Sequence, residues 1–348
     1  MDSFLYFCML EEIKSNKEDN MAGLYEQIIN QLFKAKLEKY DRKIYHIGMK
    51  EIGRDEAIQY LSRYLYALIQ STIDDVAQQE NGVEKCIQFT NDVIKELGEK
   101  FAIENYEDDL VDASNSILTS VIDKTKCDYP DLQKYIQRIT PLTSLTKSSL
   151  FTGAKNSVNM ISELKKEILS ADKIYIVVSF IRLSGLNMML PELQEFVARG
   201  GCLRVITTTY MQITEYKAVE KLSKLAHTEI KISYHSDLDR LHAKAYVFMR
   251  DSGFHTAYIG SSNISLAALT EGLEWNVKVT QMELPHNFAT VKNTFDTYWE
   301  QDVFETFNLY RDSERLKKAL DKNAQTSEGI DYSVLDLMQA KEYQNDIL

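Results

Sequence analysis

The sequence predicts an α/β protein in which a helical N-terminal domain precedes an α/β/α sandwich with a mixed, largely parallel sheet. Three observations support this prediction. Apolar residues recur at helical spacing up to about residue 140, a Ser/Thr-rich segment with a single proline follows at 141–152, and from residue 157 helical patterns alternate with continuous apolar runs. Strands that alternate with helices pair in parallel, because each helix returns the chain to the same end of the sheet.

The helical domain is predicted over residues 1–145. Its first amphipathic segment covers residues 21–40, in which these apolar side chains share one face: Leu24, Ile28, Ile29, Leu32 and Phe33. Similar patterns follow at 55–71, 82–101 and 110–122. No polar side chains converge in these segments, so we expect a small bundle that packs on the second domain or on a partner protein.

The sandwich is predicted over residues 146–325, and residues 326–348 are expected to form a linker. Helices are expected at 157–170, 191–200 and 214–226, and two closing helices between 286 and 323 place Trp299 in the core. Strands are expected at 173–180, 202–210, 229–235, 242–249, 255–260 and 274–280. The last three strands have short connections, so we expect them to pair antiparallel.

Composition favours a cytoplasmic globular protein. No apolar run is long enough to cross a membrane, and the first residues lack the basic and apolar regions of a signal peptide. The four cysteines are far apart and predict reduced thiols without a zinc site: Cys8, Cys86, Cys127 and Cys202. No carboxylate cluster suited to Mg²⁺ is visible either, so no metal or other cofactor is expected.

The net charge of −12 argues neither for nor against nucleic acid. The excess of acidic groups lies before residue 151 and after residue 325, whereas the residues between them hold acidic and basic groups in equal number. A neutral domain still has room for one basic groove, but its net charge supplies no long-range attraction for a polyanion.

The stretch from Arg240 to Asn276 holds the residues from which we infer chemistry. His242 and Lys244 are two apart in a predicted strand, so they share one face. The segment Gly260 to Asn263 ends the returning strand and enters a short helix. Its glycine permits close backbone approach, and its hydroxyl, amide and N–H groups suit an anion. Together these groups predict a phosphate pocket with a nucleophilic base.

His-x-Lys, then Gly-Ser-x-Asn, then a glutamate at Glu274 resembles the phospholipase D superfamily, above all its nuclease branch. Phrases such as SFIRLSG, RLHAKAYVF and GLEWNVKV resemble the phospholipase-D-like domain at the N-terminus of bacterial DEAD/DEAH-box (superfamily 2) helicases of restriction and antiviral defence. The resemblance covers roughly Leu150 to Thr280. In the family an aspartate follows the lysine, but Met249 stands there and Asp251 is out of register. We therefore assign Glu274 as the carboxylate partner of the histidine.

The resemblance implies a metal-independent phosphodiesterase, an endonuclease acting on DNA through a phosphohistidine intermediate. His242 is then the nucleophile, Lys244 supplies positive charge, and Ser261 and Asn263 donate hydrogen bonds to phosphate oxygens. Further residues are expected to bind substrate: Gly260, Ser262, Arg240, Arg182 and Tyr210.

The chain holds only half of such a site, because the family uses two copies of the motif. The remaining histidines have no lysine two residues on: His46, His227, His235, His255 and His286. We therefore expect a homodimer that brings two copies of His242 to one phosphate. Residues 326–348 resemble the start of a helicase region, so a linked helicase is expected. Two alternatives stay open: a catalytically silent module that binds DNA and dimerises, and a phospholipid hydrolase or transferase.

Overall fold

In a computed structural model of the chain, residues 23–124, 131–154, 158–234, 241–270 and 273–321 are described. The predicted linker at 326–348 lies outside them. The chain divides into two compact units, Met1–Val121 and Ile122–Leu348. None of the helices in these ranges combines the length and apolar character that a membrane crossing requires.

The first unit is helical, as predicted. Its helices are α1 (Gln31–Leu37), α2 (Arg54–Ala77) and α3 (Gly82–Phe101), followed by a 3₁₀ turn at Tyr106–Asp109. The helix α1 begins only where the side chain of Asn30 accepts the N–H of Phe33. The helix predicted at 110–122 is wrong, because Asp112 accepts the N–H of Ser114 and Asn115 is left-handed (φ 53°), which makes a turn.

The second unit contains an eight-stranded sheet, seven α-helices and a 3₁₀ turn at Tyr210–Gln212 within the described residues. The helices are α4 (Leu132–Ile139), α5 (Met160–Ser170), α6 (Leu183–Ala198), α7 (Tyr216–Ser223), α8 (Leu266–Leu269), α9 (Pro285–Glu300) and α10 (Leu309–Ala319). The strands are β1 (Ser149–Phe151), β2 (Lys173–Val177), β3 (Cys202–Thr208), β4 (Thr228–Ser233), β5 (Ala245–Met249), β6 (Thr256–Gly260), β7 (Asn276–Thr280) and β8 (Glu305–Thr306).

The second unit begins before the predicted boundary at 145/146. The helix α4 belongs to it, because Arg138 forms a two-bonded ion pair with Glu195 of α6, at 2.8 and 2.5 Å. The Ser/Thr-rich segment belongs to it as well, because the carboxylate of Glu163 accepts the backbone N–H groups of Leu142 and Thr143. The same segment contains β1, a strand that the sequence pattern did not predict.

The sheet is mixed, as predicted, in the order β1-β7-β6-β5-β2-β3-β4-β8. The strands β2, β3 and β4 pair in parallel, and every other pairing between these strands is antiparallel. The sheet is therefore not largely parallel, because only β2 to β4 are joined by crossover helices. The predicted antiparallel pairing of β5, β6 and β7 is confirmed.

Helices cover both faces of the sheet. On one face α5, α6, α7 and α10 bury the larger core, with Leu164, Phe196 and Leu316 almost inaccessible. On the other face α9 packs against the middle strands, and Trp299 is buried there as predicted. The helix α6 begins at Leu183, eight residues earlier than predicted, and accommodates Pro191 inside it.

Four charged side chains lie buried between α5 and the antiparallel strands. Glu163 and Glu167 are one turn apart on α5, and Lys278 of β7 lies 3.1 Å from the first and 3.0 Å from the second. Arg250, at the end of β5, pairs with Glu167. The hydroxyl of Tyr258 lies 2.7 Å from Glu167 and 3.1 Å from Glu163. Two anions and two cations thus neutralise each other inside the fold, and we call these four side chains the buried ion cluster.

Burial alone would raise the pKa of Glu167. The charges of Arg250 and Lys278 outweigh burial, helped by hydrogen bonds from Arg250 and Tyr258, and hold this pKa at about 2. Because the pKa is lower in the folded state, Glu167 stabilises the fold above its usual pKa of 4.5, and this contribution is lost as the pH falls towards 2.

We expect Glu167→Gln to lower the free energy of unfolding at pH 7 by about 3 kcal/mol, because it leaves a buried cation without its counter-charge. Urea denaturation measures this change. The matched control is Glu220→Gln, which removes an exposed pair with Lys224 and should cost less than about 0.5 kcal/mol. The difference between wild type and Glu167→Gln should narrow between pH 4.5 and 3; a constant difference would contradict the assigned pKa shift.

Candidate active site

The predicted site residues meet at one edge of the sheet. The register pairs Val177 with Ala245, Ala245 with Ile259, and Gly260 with Asn276. The end of β2, the start of β5, the end of β6 and the start of β7 therefore lie side by side, and we call this edge the site edge. The residues that flank these ends are His242, Lys244, Ser261, Asn263 and Glu274.

His242 and Lys244 lie just before β5, which begins at Ala245, and not inside the strand as predicted. Their expected proximity is nevertheless found. The Nζ of Lys244 is 3.0 Å from Nδ1 of His242 and 2.6 Å from its carbonyl oxygen. The imidazole is exposed, whereas the lysine side chain is buried. A buried ammonium thus faces an imidazole that solvent and substrate can reach.

The electrostatics of this pair favour a neutral imidazole. Partial desolvation by the neighbouring protein atoms lowers the pKa of His242, and the positive charge of Lys244 lowers it further. Burial also lowers the pKa of Lys244, and the carboxylate of Glu274 opposes that effect. An unprotonated imidazole is the form that can act as a base or a nucleophile.

Glu274 is half-buried and lies close enough to act on the charge of Lys244. The hydrogen bond expected between Glu274 and His242 is not made within the described residues. Nδ1, the ring nitrogen that would bond to the carboxylate, faces Lys244 instead. In this structure the carboxylate of Glu274 therefore acts on Lys244 through its negative charge, which favours the protonated lysine.

The glycine of the Gly-Ser-Ser-Asn loop serves strand packing. A Cβ at Gly260 would lie 2.1 Å from the carbonyl oxygen of Trp275 and 2.5 Å from Oδ1 of Asn276. The close approach that requires glycine is thus to the neighbouring strand, and the expectation that Gly260 binds substrate is not supported. Ser261 is exposed, and its backbone and hydroxyl bond to the backbone of Trp275, both at 3.1 Å.

Ser262, which the sequence predicted to bind substrate, turns its side chain into the protein interior. It is fully buried, and its Oγ accepts a 2.8 Å hydrogen bond from Nδ2 of Asn276. The hydroxyl of Tyr246 donates to its carbonyl oxygen at 2.9 Å. Ser262 is therefore the residue by which the strands β5 and β7 hold the loop.

Asn263 is also fixed by its neighbours. Its Oδ1 accepts the N–H of Phe180 at 3.1 Å, which leaves the amide N–H₂ group as its donor. The loop does not supply a helix N-terminus as expected, because α8 has four residues and is capped by Ser265. The N–H groups of Ser261 and Ser262 are directed to the β7 side, at Trp275 O and Asn276 Oδ1.

Of the other predicted binding residues, Arg182 lies beside the loop. Its backbone N–H donates to the carbonyl of Ile264 at 2.8 Å, and its side chain is exposed. Tyr210 is half-buried and follows β3 at the same edge of the sheet. Arg240 lies outside the described residues. Among those described, no three His, Cys, Asp or Glu side chains are grouped closely enough to hold a metal ion.

Sequence reasoning missed Tyr246 and Asn276, the two side chains that hold Ser262. Both are buried. A weak signal was present for Asn276, because it is an amide at the start of a predicted strand and lies two residues after Glu274. Tyr246 is two residues beyond Lys244 and shares its face of β5, but a tyrosine in an apolar strand is ordinary core composition.

Comparisons with known proteins found a family model and several solved structures that are similar to parts of this chain. Residues 164–299 match the family model described as cardiolipin synthase, phospholipase-D-like domain. Similar solved structures include NucT from Helicobacter pylori, with 17% identity, a TM-score of 0.38, and 46% of this chain and 99% of that chain covered. The phospholipase D family member Nuc from Salmonella typhimurium is similar too, with 17% identity, a TM-score of 0.36, and 47% and 99% covered.

A third similar structure is phosphatidylserine synthase from Haemophilus influenzae Rd KW20, with 11% identity, a TM-score of 0.34, and 52% of this chain and 45% of that chain covered. No curated protein matches the sequence. The family match covers the sheet from β2 to β7 and includes His242, Lys244, Asn263 and Glu274. Residues 164–299 of this chain are therefore similar to the phospholipase-D-like domain family.

Proposed function

We propose that the chain is a metal-independent phosphodiesterase that cleaves DNA, with one active site shared across a homodimer. The observation that carries this proposal is the contact of His242 with Lys244 at the site edge, since a neutral imidazole beside a fixed cation suits attack on an anionic ester.

In the proposed reaction, Nε2 of His242 attacks the phosphorus atom, a P–N bond forms, and the bond to the leaving oxygen breaks. The leaving oxygen takes a proton from a second imidazole. Water then attacks the phosphohistidine, gives its proton to that second imidazole, and the P–N bond breaks. Lys244, Ser261 and Asn263 bind the non-bridging oxygens throughout.

The contact of Lys244 with His242 suggests how Glu274 becomes the hydrogen-bond partner of the imidazole when substrate binds. Without substrate, the ammonium of Lys244 has Nδ1 and the carbonyl of His242 as acceptors. A phosphate offers a stronger, charged acceptor, so the ammonium turns towards it. Nδ1 is then free to carry the proton of the neutral ring, which leaves Nε2 as the nucleophile, and the carboxylate of Glu274 accepts that N–H.

The second imidazole comes from a second copy of the chain. Only His242 is followed by a lysine two residues on, so one chain supplies the nucleophile or the acid but not both. A twofold axis beside the site edge gives each copy the same surroundings and makes one site from two halves.

DNA is the proposed substrate, and a defence or restriction helicase is the proposed linked or associated partner. Both rest on the sequence phrases that resemble helicase-associated domains. NucT and Nuc, which resemble this chain in structure, lend the substrate no support at their low TM-scores. A catalytically silent DNA-binding module is the alternative in which the site binds the same phosphate without cleaving it.

Phospholipid hydrolysis or transfer is a second candidate, favoured by the description of the matching family model as a cardiolipin synthase domain. Turnover of phosphatidylglycerol vesicles by the purified chain, with no cleavage of DNA, would select it.

His242→Ala should reduce DNA cleavage in the presence of EDTA by at least about 10³-fold, because it removes the nucleophile. The assay is release of fragments from labelled single- and double-stranded DNA. His286→Ala, which removes an exposed imidazole on α9, is the matched control and should leave the rate unchanged. Equal cleavage by wild type and His242→Ala would remove the catalytic proposal.

The rate should rise with pH as the attacking copy of His242 loses its proton, in a limb that lies below the ordinary histidine pKa of 6.5, and should fall again as the second copy loses the proton that it donates. Lys244→Gln removes the charge that helps to lower the pKa of His242, so the limb should move to higher pH. The same change should lower kcat by on the order of 10²-fold, because one phosphate ligand is lost. A pH–rate profile measures both effects, and a limb that stays in place would contradict the coupling.

Tyr246→Phe should lower kcat about tenfold with little change in KM, because the loop that carries Ser261 and Asn263 loses one of its anchors. The matched control is Tyr234→Phe, since the hydroxyl of Tyr234 is buried and has no hydrogen-bond partner among the residues that the structure describes. Steady-state kinetics compare the two variants. A large rise in KM at constant kcat would mean that Tyr246 acts on binding and not on alignment.

A further inference from the structure

Five large apolar side chains are exposed together at the end of the sheet that borders the site edge. Leu150, Val277 and Ile259 form one row across β1, β7 and β6, because the register pairs the first with the second and the second with the third. Trp275 and Leu273 precede Val277 at intervals of two. Their exposed fractions are 52% for Leu150, 43% for Val277, 37% for Ile259, 63% for Trp275 and 84% for Leu273.

These residues lie where the helical cover of the sheet ends. On the same face, α9 buries Val247, Ala257 and Val279 under Phe288. One step closer to the site edge, Val277 and Ile259 are exposed, so no helix of the described ranges covers them. We call the five residues the apolar corner. Contiguous apolar patches of this kind on a protein surface mark an interaction site.

The apolar corner is joined to the site by the chain itself. Trp275 is the neighbour of Glu274, and its backbone bonds to the backbone and hydroxyl of Ser261. Anything that covers the corner therefore lies next to the residues proposed to hold the phosphate.

We propose that the second copy of this chain docks on the apolar corner and so brings its own His242 to the site edge. This inference rests on the proposed function, because a site with one imidazole is incomplete without the second copy. The corner contains no lysine or arginine, so it has no means of binding the phosphates of a polyanion. Its exposed area is on the order of 600 Å², close to the roughly 800 Å² per partner of a standard interface.

The contact is isologous, with the same corner used by both copies. Trp275 is its central anchor, since a large aromatic side chain on a backbone fixed by hydrogen bonds loses little freedom on binding. The same residue connects docking to catalysis. When the partner covers Trp275, the loop of Ser261 is buried beside it, and water is excluded from the phosphate.

Sedimentation of the full chain and DNA cleavage, both over a range of protein concentrations, test this surface. We expect wild type to dimerise, and Trp275→Ser and Leu150→Glu each to weaken the dimer at least tenfold. Activity should fall with the dimer fraction and return at high protein concentration, because the catalytic groups are intact. The matched control is Tyr310→Glu, which places the same charge at an exposed aromatic residue on α10 and should change neither property.

The outcomes separate the interface from the proposed function. The wild type could dimerise and require dimerisation for activity while neither substitution affects the dimer. That result would overturn the apolar corner as the interface but not the proposed function. If Trp275→Ser leaves the dimer unchanged but raises the KM for single-stranded DNA, Trp275 stacks on bases, and the apolar corner is overturned as a dimer interface. A wild type that is fully active as a monomer overturns the shared site and with it this inference.

Discussion

The position of the site depends on the buried ion cluster. Glu163 and Glu167 on α5 hold Lys278 of β7 and Arg250 at the end of β5, so one helix fixes the strands on either side of β6. Lys278 is two residues from Asn276, which in turn holds Ser262. Buried ion pairs add little net stability, but separating one is costly, so such a cluster specifies a single register for the strands that hold it.

The site edge follows from that register. Once β5, β6 and β7 are fixed, the segments that leave their ends have little freedom, and hydrogen bonds from Tyr246 and Asn276 remove most of what remains. Under the proposed function, a phosphate would meet groups whose orientation has already been set, so binding energy would not be spent on ordering the loop. Only Lys244 has to change its partner.

Much of this could be predicted from the sequence. The continuous apolar runs identified β2, β3 and β4 and the helices between them, and the pairing of His242 with Lys244 followed from a spacing of two. The strands β1 and β8 were missed, because three and two residues show no periodicity. Ser262 was assigned to the substrate because spacing does not reveal which side chain of a loop turns inward. The role of Lys244 at Nδ1 depends on a contact in space that no pattern encodes.

The contact between Lys244 and His242 also affects whether transition metals can bind the imidazole. An exposed histidine beside a glutamate is an attractive ligand for zinc or copper, and a metal on the ring would block its lone pair. The ammonium 3.0 Å from Nδ1 repels a divalent cation and occupies that nitrogen. The ammonium of Lys244 thus disfavours a metal ion at Nδ1 of His242, in addition to the role that we propose for it at a phosphate.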